Sequence, residues 1–284
     1  MLNKAGIVML MTFVLTITVQ LIYIPGIMAQ GNLVIMPRRV LFEDANKRTL
    51  ELNIANNGTD TAKYLVSVIQ YRMLEDGNFE LITVPDSGQY FADKNFRFFP
   101  RSVVLMPNES QTVKVQVINT SGLNPGEYRS HLYFRAVPNE KPVTEKSPDK
   151  PPRSINVSLV PTFGIAIPVI IRVGSPLATV SILKSEFILD VQNDPVLKLT
   201  FNRTGSASAY GDIKVNHISE QGKVTPVGLA RGFAIYTPIN TRHFAFNLNK
   251  SLGIDYRKGK LQILYTTSSD SKPVIISESS LNLL

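Results

Sequence analysis

The sequence predicts an all-β protein with two β-sandwich domains in tandem. Short stretches of alternating apolar and polar residues follow one another along most of the chain, separated by turns rich in Gly, Pro, Asn and Asp. The chain has 284 residues, which is enough for two domains of ordinary size. It contains no Cys, so a hydrophobic core rather than disulfides has to stabilise each domain.

Residues 1–29 are predicted to be a signal peptide. Lys4 precedes a long apolar run, Pro25 and Gly26 lie where signal peptides commonly break, and Ala29 ends a plausible cleavage site. An uncleaved membrane anchor is the alternative, because the apolar run is rather long. We expect cleavage, a periplasmic location and no stable membrane insertion afterwards, since no later segment is long and apolar enough to span a bilayer.

Residues 30–174 are predicted to form the first domain. Each predicted strand alternates apolar and polar residues or is bounded by turn residues, and about seven such short strands indicate an immunoglobulin-like sandwich. A Pro-rich and charged stretch at 139–153 is expected to be a solvated loop. The clearest strand stretches are 33–43, 49–58, 63–73, 103–117 and 126–137.

The stretch INVSLVPTFGIAIPVIIR at 155–172 has an apolar residue at every odd position. At roughly 3.3 Å per residue it would span about 60 Å, whereas strands typically have about five or six residues. One small domain is not tall enough to cover such a strand, so part of it needs a partner. We expect a division at Pro161: Ile155, Val157 and Leu159 project to bind a partner, and the half from Phe163 to Ile171 stays in its own sheet.

Residues 175–284 are predicted to form the second sandwich, after a short linker at Gly174, Ser175 and Pro176. Seven further stretches show the same strand and turn rhythm. They are TVSILKSEFIL, VLKLTFNRTG, GDIKVNHISEQG, KVTPVGLARGFAIYTP, HFAFNLN, KLQILYTTSS and VIISESSLNLL.

The composition argues against enzymes, metal sites and nucleic-acid binding. The three His residues, His131, His217 and His243, are isolated, and none has a partner at metal-ligand spacing; His131 is expected to be a half-buried sheet residue. Neither a phosphate-binding glycine motif nor a serine-nucleophile motif is present. The net charge of +8 is spread along the chain without interleaved aromatic residues. We therefore expect no enzyme activity, cofactor, metal or nucleic-acid partner.

Four stretches, in order, resemble the PapD-like periplasmic chaperones of the chaperone–usher pathway. They are PRRVLFE (37–43), TLELNIANNG (49–58), VVLMPNESQTVKVQV (103–117) and GEYRSHLYFRAVP (126–138). The resemblance implies a chaperone that binds and caps pilus, fimbrial or other surface-fibre subunits by lending them an edge strand. It also implies an outer-membrane usher as a second partner. Tyr128 stands where the family tends to have an acid, so the chain is similar to a divergent member.

The resemblance also implies a basic pair that holds the carboxylate at the C-terminus of the subunit. In the family this pair is an Arg of the first strand and a Lys of the long strand. Arg39 matches the Arg by its place before Val40, but the long strand has no basic residue before Arg172. Arg38 and Arg172 are the alternatives for this role, and a surface role for each stays open.

A different function is also compatible with the sequence. An exported β-sandwich adhesin, or a structural protein of the envelope without chaperone activity, would have the same strand pattern. In such a protein the long strand would be covered within the chain or by pairing in a homodimer.

Overall fold

The computed structural model describes residues 33–43, 48–138, 162–250, 253–268 and 272–283. They form two β-sandwiches, which confirms the predicted all-β fold class. No helix in these ranges is long and apolar enough to cross a membrane. Three sequence predictions lie outside the described residues: the signal peptide at 1–29, the loop at 139–153, and the projecting residues Ile155, Val157 and Leu159.

The first sandwich consists of two main sheets and a small hairpin. One sheet has the strand order β1-β3-β9-β7, the other has the order β2-β11-β10-β4-β8, and β5 pairs with β6. The strands are β1 (Leu33–Met36), β2 (Val40–Phe42), β3 (Thr49–Asn56), β4 (Ala62–Ile69), β5 (Tyr71–Met73), β6 (Phe79–Leu81), β7 (Phe96–Phe99), β8 (Ser102–Leu105), β9 (Ser110–Val117), β10 (Gly126–Val137) and β11 (Gly164–Val173).

The core of this sandwich lies between the two main sheets. Leu52, Ile54, Val113 and Val115 come from one sheet, and Leu132 comes from the other; all are fully buried. On β3 and β9 the buried residues alternate with exposed or half-buried residues, because successive side chains of a strand point to opposite faces. The alternation seen in the sequence thus places the core correctly.

The predicted extended stretch 33–43 is two strands in different sheets. Leu33–Met36 pairs with β3, whereas Val40–Phe42 pairs in parallel with β11. Pro37 lies between them, and proline has no N–H to continue a ladder. The chain therefore crosses from one sheet to the other at this point.

The stretch 63–73, predicted as one strand, is also divided. It forms Ala62–Ile69 in the second sheet and Tyr71–Met73, which leaves that sheet to pair with Phe79–Leu81. The resulting β5–β6 hairpin leans on the second domain. The backbone carbonyl of Glu75, in the hairpin loop, accepts the N–H of His243 at 2.7 Å.

The second sandwich contains a strand in each of the seven predicted stretches. Its sheets have the orders β12-β13-β16 and β15-β14-β17-β18, and its core is rich in aromatic rings, with Phe201 and Tyr265 fully buried. The strands are β12 (Ala178–Leu189), β13 (Pro195–Gly205), β14 (Ala209–Ile218), β15 (Val224–Ile235), β16 (Thr241–Asn247), β17 (Lys260–Thr266) and β18 (Ile275–Asn282).

A buried carboxylate joins the two sandwiches. Glu127, on β10, accepts hydrogen bonds through Oε2 from the backbone N–H of Ser208 at 2.9 Å and from its hydroxyl at 2.7 Å. Arg172, on β11, lies 3.2 Å from the same oxygen and donates to the Ser208 carbonyl at 3.0 Å. Because Ser208 belongs to the turn between β13 and β14, this network fixes one end of the second domain against the first.

We expect replacement of this carboxylate to destabilise the protein. Glu127→Gln removes the charge that Arg172 and the two Ser208 groups share, and the free energy of unfolding should fall by about 1–3 kcal/mol. Glu51→Gln is the matched control, because Glu51 forms only an exposed pair with Lys114 at 3.7 Å, and it should change stability by less than about 1 kcal/mol. Urea unfolding followed by circular dichroism measures both. Equal effects of the two substitutions would contradict the interdomain role of Glu127.

Candidate functional site: an open strand edge beside an interdomain cleft

Strand β11 is paired along its whole length on one side and only in part on the other. Its inner neighbour, β10, pairs with it antiparallel from Gly164 to Val173. Its outer neighbour, β2, pairs with it only at Val169, Ile170 and Ile171. Within the described residues, no strand pairs with the outer side of residues 164–168. This part of β11 is an open sheet edge.

The alternation of backbone groups shows what the open edge offers. The Ala136 N–H donates to the Phe163 carbonyl at 3.0 Å, so Phe163 and every second residue after it direct their backbone groups to β10. Gly164, Ala166 and Pro168 then direct theirs outward. Pro168 has no N–H to donate. Because its backbone groups point away from β10, the pairing of β11 with β10 loses no hydrogen bond at this position. At Gly164 and Ala166 the edge therefore presents two amide donors and two carbonyl acceptors to an added strand.

The side chains of β11 divide between two environments. Ile167, Val169 and Ile171 are buried in the core of the first sandwich. On the other face, Ala166 and Pro168 line a cavity of about 1080 Å³ between the two domains. An added strand at the open edge would therefore lie at the mouth of this cleft.

The cleft is positively charged. Arg38 from the first domain and Lys214 and Arg231 from the second line it, and none of the three forms an ion pair with another described residue. The acid in the lining, Asp212, already accepts the Gly232 N–H at 2.9 Å and the Ser268 hydroxyl at 2.7 Å through Oδ1. Unpaired cations in a concave site favour an anionic ligand such as a carboxylate.

The three arginines considered from the sequence lie in different surroundings. Arg38 is exposed and lines the cleft. The guanidinium of Arg39 stacks on the Tyr210 ring at 4.2 Å, an arrangement that cation–π attraction favours. Arg172 binds Glu127, Glu43 and Ser208 through its three nitrogens, so its donors are already occupied by the interdomain network.

Lys214 and Arg231 are cleft residues that sequence reasoning missed. Both lie in strands that the sequence predicted, on β14 and β15, and neither belongs to a basic cluster. Only the packing of the second domain against the first brings them into the same cavity lining as Arg38. Nothing in the sequence therefore distinguishes Lys214 and Arg231 from any other Lys or Arg on the outward face of a strand.

One wall of the cleft contains buried polar side chains. His131 is buried, with 3% of its surface exposed, and not half-buried as expected, because the β5–β6 hairpin and the second domain cover this face of β10. Arg129 is buried beside it, donates to the Thr237 carbonyl at 3.1 Å and lies 4.2 Å from the Tyr236 ring centroid. Burial lowers the pKa of Arg129. Burial, and then the charge of Arg129, lower the pKa of His131 to about 3.

The burial of His131 predicts a loss of stability in acid. An unfolded His has a pKa of about 6.5, so below that pH the unfolded state binds a proton that the folded state does not take up until about pH 3. The free energy of unfolding contributed by His131 must fall as the pH drops through this window. Between about pH 7.5 and about pH 5, the free energy of unfolding of the wild type should fall by about 2 kcal/mol more than that of His131→Phe. Urea unfolding at both pH values measures this, and parallel losses would show that His131 is protonated in the folded protein.

Comparison with known proteins finds similarities among solved structures alone. No family model and no curated protein matches the sequence. The Pseudomonas aeruginosa CupB2 chaperone is 13% identical, with a TM-score of 0.41, over 88% of this chain and 100% of that one. The Escherichia coli chaperone DraB is 14% identical, with a TM-score of 0.37, over 89% and 96%. A chain of the CsuC–CsuE chaperone–tip subunit complex, from the archaic chaperone–usher Csu pili of Acinetobacter baumannii, is 14% identical, with a TM-score of 0.40, over 87% and 98%.

Proposed function

We propose that this protein is a non-enzymatic periplasmic chaperone that binds and caps subunits of a pilus or another surface fibre by lending them an edge strand. The observation that carries the proposal is the open edge of β11 at residues 164–168. Such an edge pairs readily with another strand, and proteins normally cover it or break it with charged side chains. Here its residues, Gly164, Ile165, Ala166, Ile167 and Pro168, carry no charge.

The residues before β11 extend the same apolar pattern. In the sequence, Ile155, Val157 and Leu159 keep the odd-numbered phase of Ile165, Ile167 and Val169. In our proposal these residues enter a groove of exposed core in a subunit that lacks a strand. Burial of the three side chains would contribute roughly 5–9 kcal/mol, at about 1.5–3 kcal/mol each, before the costs of association. Backbone pairing would set the register of the complex more than its affinity.

The cleft supports a second contact with the same subunit. A strand paired with the open edge runs beside Ala166 and Pro168, which line the cleft. The free carboxylate at the C-terminus of the subunit would then meet Arg38, Lys214 and Arg231. This assignment places the carboxylate site between the two domains and leaves Arg172 in the network with Glu127.

The proposal predicts that Val157 and Leu159, on the face of the strand that enters the subunit, are essential for binding that subunit, which is called the client below. Val157→Asp combined with Leu159→Asp would place two charges in an apolar groove, which is strongly unfavourable without partners. We expect this variant to lose complex formation and the soluble client to disappear from the periplasm. The matched control combines Asn156→Asp with Ser158→Asp, which adds the same charge on the other face of the strand and should retain most of the binding.

Co-purification of a tagged subunit, together with the periplasmic level of that subunit, measures both variants. Circular dichroism shows whether each variant is folded. Normal client levels with the folded Val157/Leu159 variant would overturn strand donation by these residues. A tight homodimer of the wild type that the same two substitutions dissociate would instead support the adhesin or structural alternative, in which the edge pairs with a second copy.

A further inference from the structure

Aromatic rings cover the wall of the cleft that contains His131. The ring centroid of Phe79, on β6, lies 5.8 Å from that of Tyr71 and 6.0 Å from that of His131. The Tyr236 ring, on the second domain, lies 6.1 Å from Phe79. All four residues line the cavity, and they are called the ring cluster below.

The ring cluster is exposed to the cavity mainly through Phe79. Phe79 is 45% exposed, whereas His131 and Tyr236 are 3% and 6% exposed. A large ring that stays half exposed inside a concave site, on top of buried rings, is typical of a surface that a ligand covers. The cluster is also uncharged near neutral pH, because burial lowers the pKa of His131 and raises that of Tyr236.

The cavity thus combines two kinds of recognition chemistry. Arg38, Lys214 and Arg231 suit a carboxylate, and the ring cluster suits a large apolar or aromatic group. The volume of about 1080 Å³ lies just above the range of about 300–1,000 Å³ that is usual for ligand sites, so it can hold a ligand with two different groups. A ligand that carries both groups fits these walls better than a simple anion does.

We propose that the ring cluster is a subsite for an aromatic side chain at the C-terminus of a bound polypeptide. The inference rests on the proposed function, and two observations select this occupant. Ala166 and Pro168 belong both to the β11 strand and to the cavity lining, so a chain paired with the open edge leads directly into the cleft. The unpaired cations complement a terminal carboxylate, which places the last side chain of that chain within the same cavity as Phe79.

Three labelled synthetic peptides test the subsite by fluorescence anisotropy with the full-length protein. Each alternates Val and Thr; one ends in Tyr with a free carboxylate, the second ends in Ala with a free carboxylate, and the third ends in Tyr as an amide. We expect the wild type to bind the first roughly tenfold more tightly than the second, as for burial of one large apolar group. We also expect weaker binding of the amide, because it lacks the charge that the cations meet.

Phe79→Ala should abolish the preference for Tyr over Ala and keep the preference for a free carboxylate over the amide. Phe79→Leu, which keeps an apolar side chain, should retain part of the Tyr preference. Phe99→Ala is the matched control, because Phe99 is 75% exposed on β7, away from the cavity lining, and it should behave like the wild type. Thermal unfolding confirms that each variant is folded.

The possible outcomes separate this inference from the proposed function. A full Tyr preference in folded Phe79→Ala, or equal wild-type affinity for the Tyr and Ala peptides, would overturn the ring subsite and leave strand donation in place. Failure of all three peptides to bind the wild type would contradict both. Displacement of the Tyr peptide by N-acetyltyrosine at equal concentration would overturn the polypeptide occupant, because the cleft would then be a small-molecule site.

Discussion

The length difference between two neighbouring strands produces the open edge on which the proposed function depends. Strand β11 has 10 residues and its outer neighbour β2 has 3, so the first half of β11 has no outer partner among the described residues. The reason lies in the sequence before β2. Leu33–Met36, just before β2, pairs with β3 in the other sheet, and Pro37 lies between the two strands. These residues are therefore not available to pair with the first half of β11, and the edge stays open.

The placement of the second domain adds charged residues beside this edge. Glu127, Arg172 and Ser208 fix the two domains at one end of the interface. Elsewhere in the interface, Arg129 bonds to Thr237 and the loop of the β5–β6 hairpin bonds to β16. The two domains therefore contact each other at separate points of the interface. The cations of the second domain can therefore meet a ligand that the first domain positions.

The strands were predictable because alternation of apolar and polar residues is a local signal. GEYRSHLYFRAV at 126–137 forms β10 over that whole range. Phe96–Phe99 and Phe79–Leu81 were missed, since each is very short and carries exposed aromatic or apolar residues. The stretch 63–73 divides because the hairpin pairs away from the sheet, and no pattern inside a strand records which partner it pairs with.

The charged site was less predictable than the strands. Arg172 was a reasonable candidate by position, yet Glu127 lies directly opposite it in the β10–β11 register and occupies its guanidinium. Lys214 and Arg231 reach the cleft only because Ser208 and Tyr236 bring the second domain against β10 and β11. Contacts between residues so far apart in the chain depend on tertiary packing, which residue spacing does not encode.

Amide hydrogen exchange at β11, with and without a bound client subunit, tests the open edge most directly. In the free protein, the amides of Gly164 and Ala166 should exchange rapidly, whereas those of Ile165 and Ile167, which face β10, should be protected. Binding of the subunit should protect Gly164 and Ala166 strongly and leave the other two almost unchanged. Protection of Gly164 and Ala166 already in the free monomer, or no change on binding, would contradict strand addition at this edge.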